Sequence, residues 1–448
     1  MLDLLKVATQ MQGMSEQLAQ EAQQLMRKLD RAEELFNQAS DRQEELCQQR
    51  ARFSDRLIFN CAEPIEPLTL RHQIAPMTGS HCVIATDGSQ IAPSRHEAAY
   101  CYLVNVGRVA LHYGSGTYPH LDSVPEIFYK PEDLYGARQW GISTEEWMGL
   151  RRTAAEAIAL TELALAQKNS AINNHSGHSQ PLNHLTSLNP ANNLSDQPNN
   201  QNDRSLDLDL DLDNQSTSPM LALSDGSLIY WSLEALPREA RDRILPDMLT
   251  AWDLLKMAQI PLAGYISAPR AVESTNFLRL PACPFEQPDC QTHCQSSSSN
   301  SNNAQPIAKA PCSKIQPTRD ATLWHRLLQP GECSPLWRSN ARILNEYGDA
   351  QQIYFCYLHV GVEIARVEMP AWTALDFNLR NQALSMILAQ IQKGYGYPVA
   401  LAEAHNQAVV TGSDRRRFFT ILEQQMLKSG LSNLATSYKE ARKRGSIA

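Results

Sequence analysis

The sequence predicts an α/β fold in which helices flank a mixed β-sheet. Apolar, strand-like segments alternate with helical segments along most of the 448 residues, and this alternation is typical of the class. Apolar residue types make up 43% of the chain, enough for one large core. Two of the predicted strands run into the same Asp-Gly-Ser sequence, at Asp87 and at Asp225. The candidate functional residues are organised around this repeat.

Composition excludes several classes of protein. No run of about 18 apolar residues occurs, so we expect no transmembrane helix. The stretch that begins at Met1 lacks the pattern of a signal peptide, which favours a cytoplasmic location. Ten cysteines in so long a chain do not make a disulfide scaffold, and most are interpreted as buried free thiols.

The charge is unevenly distributed. A net charge of −8 argues against a generally basic surface for nucleic acid. However, residues 169–219 hold six Asp and one Arg, which is −5 of the −8. The remaining −3 is compatible with a local basic groove.

Residues 1–60 are predicted to be helical. Apolar side chains recur every three or four residues from Leu4 to Ala39, with an additional step of four between Leu18 and Ala22. This is a heptad seam with a stutter. The segment is either an amphipathic helix packed on its own domain or a coiled-coil contact with a second subunit or partner, and the pattern does not distinguish them.

Residues 75–430 are predicted to form one domain of alternating strands and helices. In its first half we expect strands at 82–86, 98–106 and 109–113, a turn at Gly107, a structured loop at 114–142 and a helix at 144–168. Ser143 and Glu146 form a capping box at the start of that helix. In its second half we expect strands at 220–229, 260–266, 353–359 and 362–368, and helices at 234–257, 271–280, 322–328, 374–392 and from about 414.

Two polar insertions interrupt this domain, and a basic tail, residues 431–448, follows it. Residues 169–219 are of low complexity and cannot bury enough apolar surface to offset the entropy of ordering, so we expect disorder. Their histidines, His175, His178 and His184, are interpreted as solvated.

The second insertion, residues 281–317, contains a candidate zinc site. Its ligand types are found at Cys283, Cys290, His293, Cys294 and Cys312. Thiolates and an imidazole in a short loop suit tetrahedral Zn²⁺, but this spacing is irregular for a ribbon or a finger. A loop of scattered thiols without metal is the alternative.

The repeated Asp-Gly-Ser predicts a site for hard divalent cations. Each apolar strand is expected to present a carboxylate at its C-terminal tip with a glycine turn behind it. Two such carboxylates, Asp87 and Asp225, on neighbouring strands would suit Mg²⁺ or Mn²⁺. Asp-Gly is also an ordinary turn dipeptide, but two copies that both follow apolar strands favour a site.

Two further segments are weaker signals. Glu156 lies on the predicted helix 144–168, where a lone carboxylate is usually at the surface and Glu162 is a rival. Near the C-terminus, Tyr397 could hydrogen-bond a phosphate and His405 could ligate a cation. From spacing alone, these two are better interpreted as residues of a strand–helix corner, each satisfied by backbone.

Taken in order, four segments resemble the NurA nuclease family: Asp87-Gly88-Ser89, Glu156, Asp225-Gly226-Ser227-Leu228 and the segment from Tyr397-Pro398 to His405. The resemblance spans roughly residues 80–430, apart from the insertions, and the N-terminal helix is similar to the family's helical lead-in. It implies that Asp87, Glu156, Asp225 and His405 are metal ligands and that Tyr397 is an active-site tyrosine. Removing the 51 residues of 169–219 from the 69 between Glu156 and Asp225 leaves 18, which suits a helix that leads directly into the next strand.

The same resemblance implies an RNase H-like fold and a DNA nuclease that depends on Mn²⁺, or Mg²⁺, with 5′→3′ exonuclease and single-strand endonuclease activity. It also implies a homodimer that works with a HerA-type hexameric ATPase in DNA end resection. Two basic clusters could contact DNA phosphates: Arg415-Arg416-Arg417, and Arg442-Lys443-Arg444 in the tail. The second could equally bind the ATPase.

The prediction is therefore a two-metal phosphodiester hydrolase that acts on DNA. Two alternatives stay open. The chain could be an inactive RNase H-like scaffold that binds partners of a DNA translocase, or it could act on RNA, since nothing in the sequence reports on the 2′-hydroxyl.

Overall fold

The fold is built on one mixed β-sheet, as the sequence predicts. The structure is a computed structural model that describes residues 4–94, 99–176, 218–294, 310–316 and 318–430. Within these residues the sheet has eleven strands: β1 (Glu63–Pro64), β2 (His72–Gln73), β3 (His81–Ile91), β4 (Tyr102–Tyr113), β5 (His120–Phe128), β6 (Met220–Asp225), β7 (Leu262–Ile266), β8 (Glu332–Cys333), β9 (Trp337–Arg338), β10 (Ile353–His359) and β11 (Ile364–Pro370).

The strand order is β1-β9-β10-β11-β7-β6-β3-β4-β5, and β8 pairs with both β2 and β10. Only the pairs β3–β6 and β6–β7 are parallel among the described strands. The neighbours outside this central trio are antiparallel. A parallel pair needs a crossover connection, commonly a helix, and a helix precedes both β6 and β7.

Thirteen α-helices lie in the described residues: α1 (Leu4–Asp41), α2 (Gln43–Phe53), α3 (Pro131–Tyr135), α4 (Thr144–Ser176), α5 (Arg238–Arg241), α6 (Leu245–Met257), α7 (Glu273–Phe277), α8 (Cys290–Cys294), α9 (Asp320–Leu327), α10 (Ala371–Ala374), α11 (Phe377–Lys393), α12 (Val399–Ala408) and α13 (Gly412–Lys428). None of these described helices has a stretch long and apolar enough to cross a membrane.

The central strands are buried on both faces. Cys82 and Ile84 of β3 join a core with α4 and α6, whereas Val83 and Ala85 join a second core with α11 and α12. Successive side chains of a strand point to opposite faces of the sheet. This burial fixes the register of β3 and therefore the position of the residues that follow it.

The N-terminal segment divides into two parts. The later turns of α1 pack on the body of the protein, where Phe36 meets Trp324 edge-on with ring centroids 5.7 Å apart. The earlier turns expose Met11, Met14 and Leu18. Packing on its own domain thus accounts for part of the heptad seam, and a coiled coil with a partner stays a prediction for the rest.

Two elements in the first half differ from expectation. The turn at Gly107 is wrong, because β4 runs unbroken from Tyr102 to Tyr113 beside β3. The loop expected at 114–142 instead contains the edge strand β5 and the short helix α3. The position of Pro125 inside β5 is tolerated at a sheet edge, where one side of the strand needs no partner.

Smaller differences concern boundaries. Helix α4 continues to Ser176, eight residues into the segment expected to be disordered, and the predicted helix 234–257 divides into α5 and α6. The disorder predicted for the rest of 169–219 falls mainly on 177–217, which lie outside the described residues, as do 295–309 of the Cys-rich insertion and the basic tail 431–448.

Candidate functional site

Asp87 and Asp225 lie side by side because of the register of β3 and β6. The parallel pairing runs from Cys82 with Met220 to Thr86 with Ser224, and the two aspartates are the next residues on their strands. Asp225 ends β6 and so lies at a strand tip, as predicted, although the strand expected at 220–229 stops four residues earlier. Asp87 does not end β3, which continues to Ile91 because β4 remains paired with it. The prediction of a strand tip is therefore wrong for Asp87, although its proximity to Asp225 is as expected.

Helix α4 brings Glu156 to the same place. The Thr86 hydroxyl donates a hydrogen bond of 2.9 Å to the Glu156 carbonyl, which holds this turn of the helix against β3. The carboxylate lies so close to Gly88 that a methyl group there would overlap Glu156 Oε1. The rival Glu162 is exposed, and the charged group that acts on its carboxyl is Arg108.

The negative charges of Asp87 and Asp225 act on the Glu156 carboxyl. Partial burial raises the pKa of Glu156 to about 7; Arg152 opposes this rise, and the negative charges of Asp87 and Asp225 add to it. Arg152 Nε lies 3.2 Å from Glu156 Oε1. Glu156 Oε1 lies against Gly88, the residue after Asp87, and Asp87 and Asp225 directly follow the paired residues Thr86 and Ser224, so the three carboxyl groups belong to one cluster.

His405 and Tyr397 complete this cluster from the opposite side of the sheet. His405, on α12, places Nδ1 2.8 Å from Asp87 Oδ2, with 67% of its side chain exposed. Tyr397 donates a hydrogen bond to Asp225. Burial and the neighbouring Asp225 raise the pKa of Tyr397, which keeps the phenol protonated. These residues have carboxylate partners, so the interpretation of a corner satisfied by backbone alone is wrong.

Gly107 explains how α12 approaches the sheet. A methyl group at this position of β4 would overlap the backbone of Ala404 and Ala408. Ser89 and Asn105 both donate side-chain hydrogen bonds to the Ala408 carbonyl, the second at 2.8 Å. Helix α12 therefore rests directly on β3 and β4, which brings His405 within reach of Asp87.

The donor set at this cluster fits a hard divalent cation. Carboxylates and an imidazole are suitable ligands for Mn²⁺ and acceptable ones for Mg²⁺. In the described part of the chain, no three His, Cys, Asp or Glu side chains are arranged to hold an ion. At the cluster, protein groups already engage the carboxylates: His405 at Asp87, Tyr397 at Asp225 and Arg152 at Glu156. Metal binding would require these side chains to rearrange.

The basic cluster Arg415-Arg416-Arg417 occupies the exposed first turns of α13. Thr411 and Asp414 form a capping box at the start of this helix. Phe419 packs against Ile91 and Leu103, at the ends of β3 and β4. The three guanidinium groups are therefore carried by an element attached to the strands of the cluster. The second basic cluster, Arg442-Lys443-Arg444, lies outside the described residues.

The Cys-rich insertion brings its ligand types together without forming a metal site in the described residues. One small cavity is lined by Cys283, Cys290, His293, Cys294 and Cys312. Burial raises the pKa of Cys294, and the other three thiols add to that rise. His293 stacks on Phe285 with ring centroids 4.1 Å apart. Zinc binding stays a prediction.

Comparisons with known proteins identify the family. The model of the NurA domain matches residues 81–410. The chain is similar in structure to a NurA nuclease from Sulfolobus solfataricus, at 12% sequence identity and a TM-score of 0.47 over 96% of this chain and 98% of that one. It is also similar to a NurA crystal structure with manganese, at 10% identity and a TM-score of 0.33 over 88% and 99%. No curated protein matches the chain. Because the domain model covers most of the sequence, this protein belongs to the NurA family.

Proposed function

We propose that this protein is a DNA nuclease that depends on a divalent metal. Asp87, Glu156, Asp225 and His405 would hold two Mn²⁺ or Mg²⁺ ions, and Tyr397 would orient the substrate phosphate. The observation that carries the proposal is the convergence of three carboxyl groups, one of them with a pKa near 7, where β3 and β6 stop pairing. Membership of the NurA family supports the same conclusion.

The protein's own groups have distinct tasks in this proposal. When bound, the metal would supply Lewis acidity and an activated water. Asp87 and Asp225 bind it with hard oxygen donors. Tyr397, kept protonated, can donate a hydrogen bond to a phosphate oxygen once it leaves Asp225. His405 is sufficiently exposed to meet either a cation or a substrate.

Glu156 would control the charge of the site. With a pKa of about 7, it is partly protonated in the absence of metal, which limits repulsion among three carboxylates. A cation favours the ionised form of a nearby carboxyl. Metal binding would therefore release a proton from Glu156 and be stronger above pH 7 than below it.

The finer features of the activity rest on the family resemblance. These are the 5′→3′ polarity, the single-strand endonuclease activity, the homodimer and the HerA-type ATPase partner in DNA end resection. An RNase H-like fold is supported by the central strand order, in which the antiparallel β3, β4 and β5 are followed by β6 and β7, parallel to β3. Arg415, Arg416 and Arg417 would contact phosphates of the DNA.

A direct test is cleavage of single-stranded DNA, double-stranded DNA and RNA by the purified chain, with and without Mn²⁺. We expect Mn²⁺-dependent cleavage of DNA that Asp87→Ala and Asp225→Ala abolish while the circular dichroism spectrum is retained. Glu156→Ala should be equally inactive, and Glu162→Ala is its matched control because Glu162 is an exposed carboxylate of the same helix. Full activity in either aspartate variant would refute the assignment.

The second candidate is a catalytically inactive scaffold. It is favoured by one observation: no three described side chains of the ligand-forming types are arranged to hold an ion. Titration of the metal-free protein with Mn²⁺ separates the two functions. Binding that depends on Asp87 and Asp225 supports the nuclease, and absence of binding supports the scaffold.

A further inference from the structure

The loop that carries Asp225 is held by a buried carboxylate two strands away. After β6, the chain turns at Gly226 and continues as Ser227 and Leu228. The Ser227 hydroxyl and the Leu228 amide both donate to Glu368 Oε2, each at 2.8 Å. Glu368 lies on β11 and is only 1% exposed.

This contact depends on the strand between them. Ser224 of β6 pairs with Gly264 of β7, and Gly264 pairs with Glu368 of β11, so the three residues form a row across the sheet. A methyl group on Gly264 would lie 2.7 Å from the Gly226 carbonyl oxygen and 2.9 Å from Leu228 Cγ. The loop therefore passes directly over Gly264 to reach Glu368, and a side chain there would obstruct it.

Glu368 is itself fixed by other buried charges. Arg366 Nε donates to Glu368 Oε1 at 2.8 Å, and Arg366 Nη2 lies 2.7 Å from Glu273 Oε2. Glu273 also accepts a hydrogen bond from Ser339 at 2.7 Å. Buried charges are stable only when they are paired and hydrogen-bonded. The two loop donors satisfy the Glu368 oxygen that Arg366 does not.

We infer that Glu368 is a positioning residue for the metal site, because it holds the Asp225-Gly226-Ser227-Leu228 loop in the one conformation that aims Asp225 at Asp87. This inference rests on the proposed function and extends it to a residue that no sequence pattern indicated. The Gly226 amide bonds the Tyr265 carbonyl at 2.8 Å, so the loop is attached on both sides of Gly264. The Leu228 carbonyl also accepts a hydrogen bond from the Tyr347 hydroxyl at 3.0 Å. Without Glu368, these two attachments remain, but the Ser227 hydroxyl and the Leu228 amide lose their shared carboxylate acceptor.

The test compares two ends of the same buried network. Ser227→Ala removes one donor to Glu368 next to the loop, whereas Ser339→Ala removes one donor to Glu273 at the far end. Glu368→Gln replaces one acceptor oxygen by an NH₂ group, which would face either Arg366 or the loop donors. Mn²⁺ binding to the metal-free protein is measured by calorimetry, DNA cleavage is measured against Mn²⁺ concentration, and the melting temperature reports the fold.

We expect Ser227→Ala to weaken Mn²⁺ binding and to raise the Mn²⁺ concentration for half-maximal cleavage, each roughly tenfold, as one hydrogen bond to a charged group predicts. Glu368→Gln should cause a larger loss of affinity. Ser339→Ala should lower the melting temperature but leave Mn²⁺ affinity unchanged.

Unchanged Mn²⁺ affinity in Ser227→Ala and Glu368→Gln would overturn the inference, as would an equal loss of affinity in Ser339→Ala, which would indicate a general effect on stability. These results can be distinguished from results that contradict the proposed function itself. A parent chain that binds no Mn²⁺ and cleaves no DNA contradicts both, whereas normal parent activity with unaffected variants contradicts the positioning role alone.

Discussion

The two Asp-Gly-Ser segments have the same sequence but different surroundings. The first continues within β3, where Gly88 pairs with Val106 and the Ser89 hydroxyl bonds the end of α12. The second leaves β6 at Gly226, and its serine bonds buried Glu368. One aspartate is thus fixed by a continuous strand and the other by a turn that distant residues hold. A short repeated motif therefore predicted two neighbouring carboxylates without predicting how either one is supported.

The two glycines show the difference most clearly. Gly88 has an ordinary backbone conformation but no space for a side chain, since a methyl group would overlap Glu156 Oε1 and lie 2.7 Å from Arg152 Cγ. Gly226 has open space around it but adopts φ +90°, which L side chains rarely adopt. The same residue type is required for close approach at one site and for backbone freedom at the other.

Gly88→Ala is the most severe test of this comparison. The overlapping atoms belong to flexible side chains, so we expect the fold to survive while Glu156 and Arg152 rotate away from Asp87. DNA cleavage should fall roughly 100-fold or more, which is typical for misplacement of a catalytic group, with a change in melting temperature of a few degrees at most. Retention of more than half of the parent rate would show that Glu156 need not lie against Gly88.

The pH profile of cleavage should follow the ionisation of Glu156. Because the raised pKa of about 7 leaves the carboxyl partly protonated, the rate at limiting Mn²⁺ should rise with pH across that value. Arg152 lowers this pKa, so Arg152→Ala should move the rise to higher pH and leave most of the alkaline rate intact. A profile that shifts downward in Arg152→Ala would contradict the ion pair as the cause.

The raised pKa of Glu156 should also affect the stability of the metal-free protein. A carboxyl whose pKa is higher in the folded than in the unfolded protein makes its full contribution to stability at a pH below its unfolded-state pKa of 4.5. It loses that contribution as the pH rises through its folded-state pKa of about 7. Glu156→Gln cannot ionise and should raise the free energy of unfolding at pH 8 by on the order of 2 kcal/mol. Urea titrations at pH 8 and pH 4 measure it, and the gain should be absent at pH 4.

Gly226→Ala should have the smallest of these effects. The methyl group meets nothing, so only backbone strain opposes it, which amounts to about 1 kcal/mol. We expect a fall of a few degrees in melting temperature and a modest rise in the Mn²⁺ requirement, because the turn relaxes. A loss of activity as large as that of Gly88→Ala would mean that the two glycines serve the same purpose.

The sequence predicted the elements that local pattern defines. The apolar stretches around Val83 and Leu221 became parallel neighbours, and the helix that carries Glu156 began where its capping box indicated. What the sequence did not predict depends on long-range register. Glu368 lies 140 residues or more from Ser227 and Leu228 in sequence, and only the pairing of β6, β7 and β11 brings it beneath their loop.

Local sequence signals also gave wrong or no predictions where tertiary contacts decide the structure. Gly107 was expected to mark a turn, as glycine often does, but it pairs with Asp87 of β3 on one side and with Ser123 of β5 on the other, so the strand continues. Arg152 carried no signal of its own, since an arginine on a helix is usually solvated. Its role follows only from the approach of α4 to Gly88.

Gly107 sets the clearance between a helix and a sheet. At Gly107 the backbone of β4 lies directly against the backbone of α12, with no side chain between them. This close contact sets the distance between His405 and Asp87. Any larger residue would act as a wedge beneath the last turn of α12 and lift the imidazole from its carboxylate. The alignment of the cluster therefore depends in part on the absence of a Cβ atom at position 107.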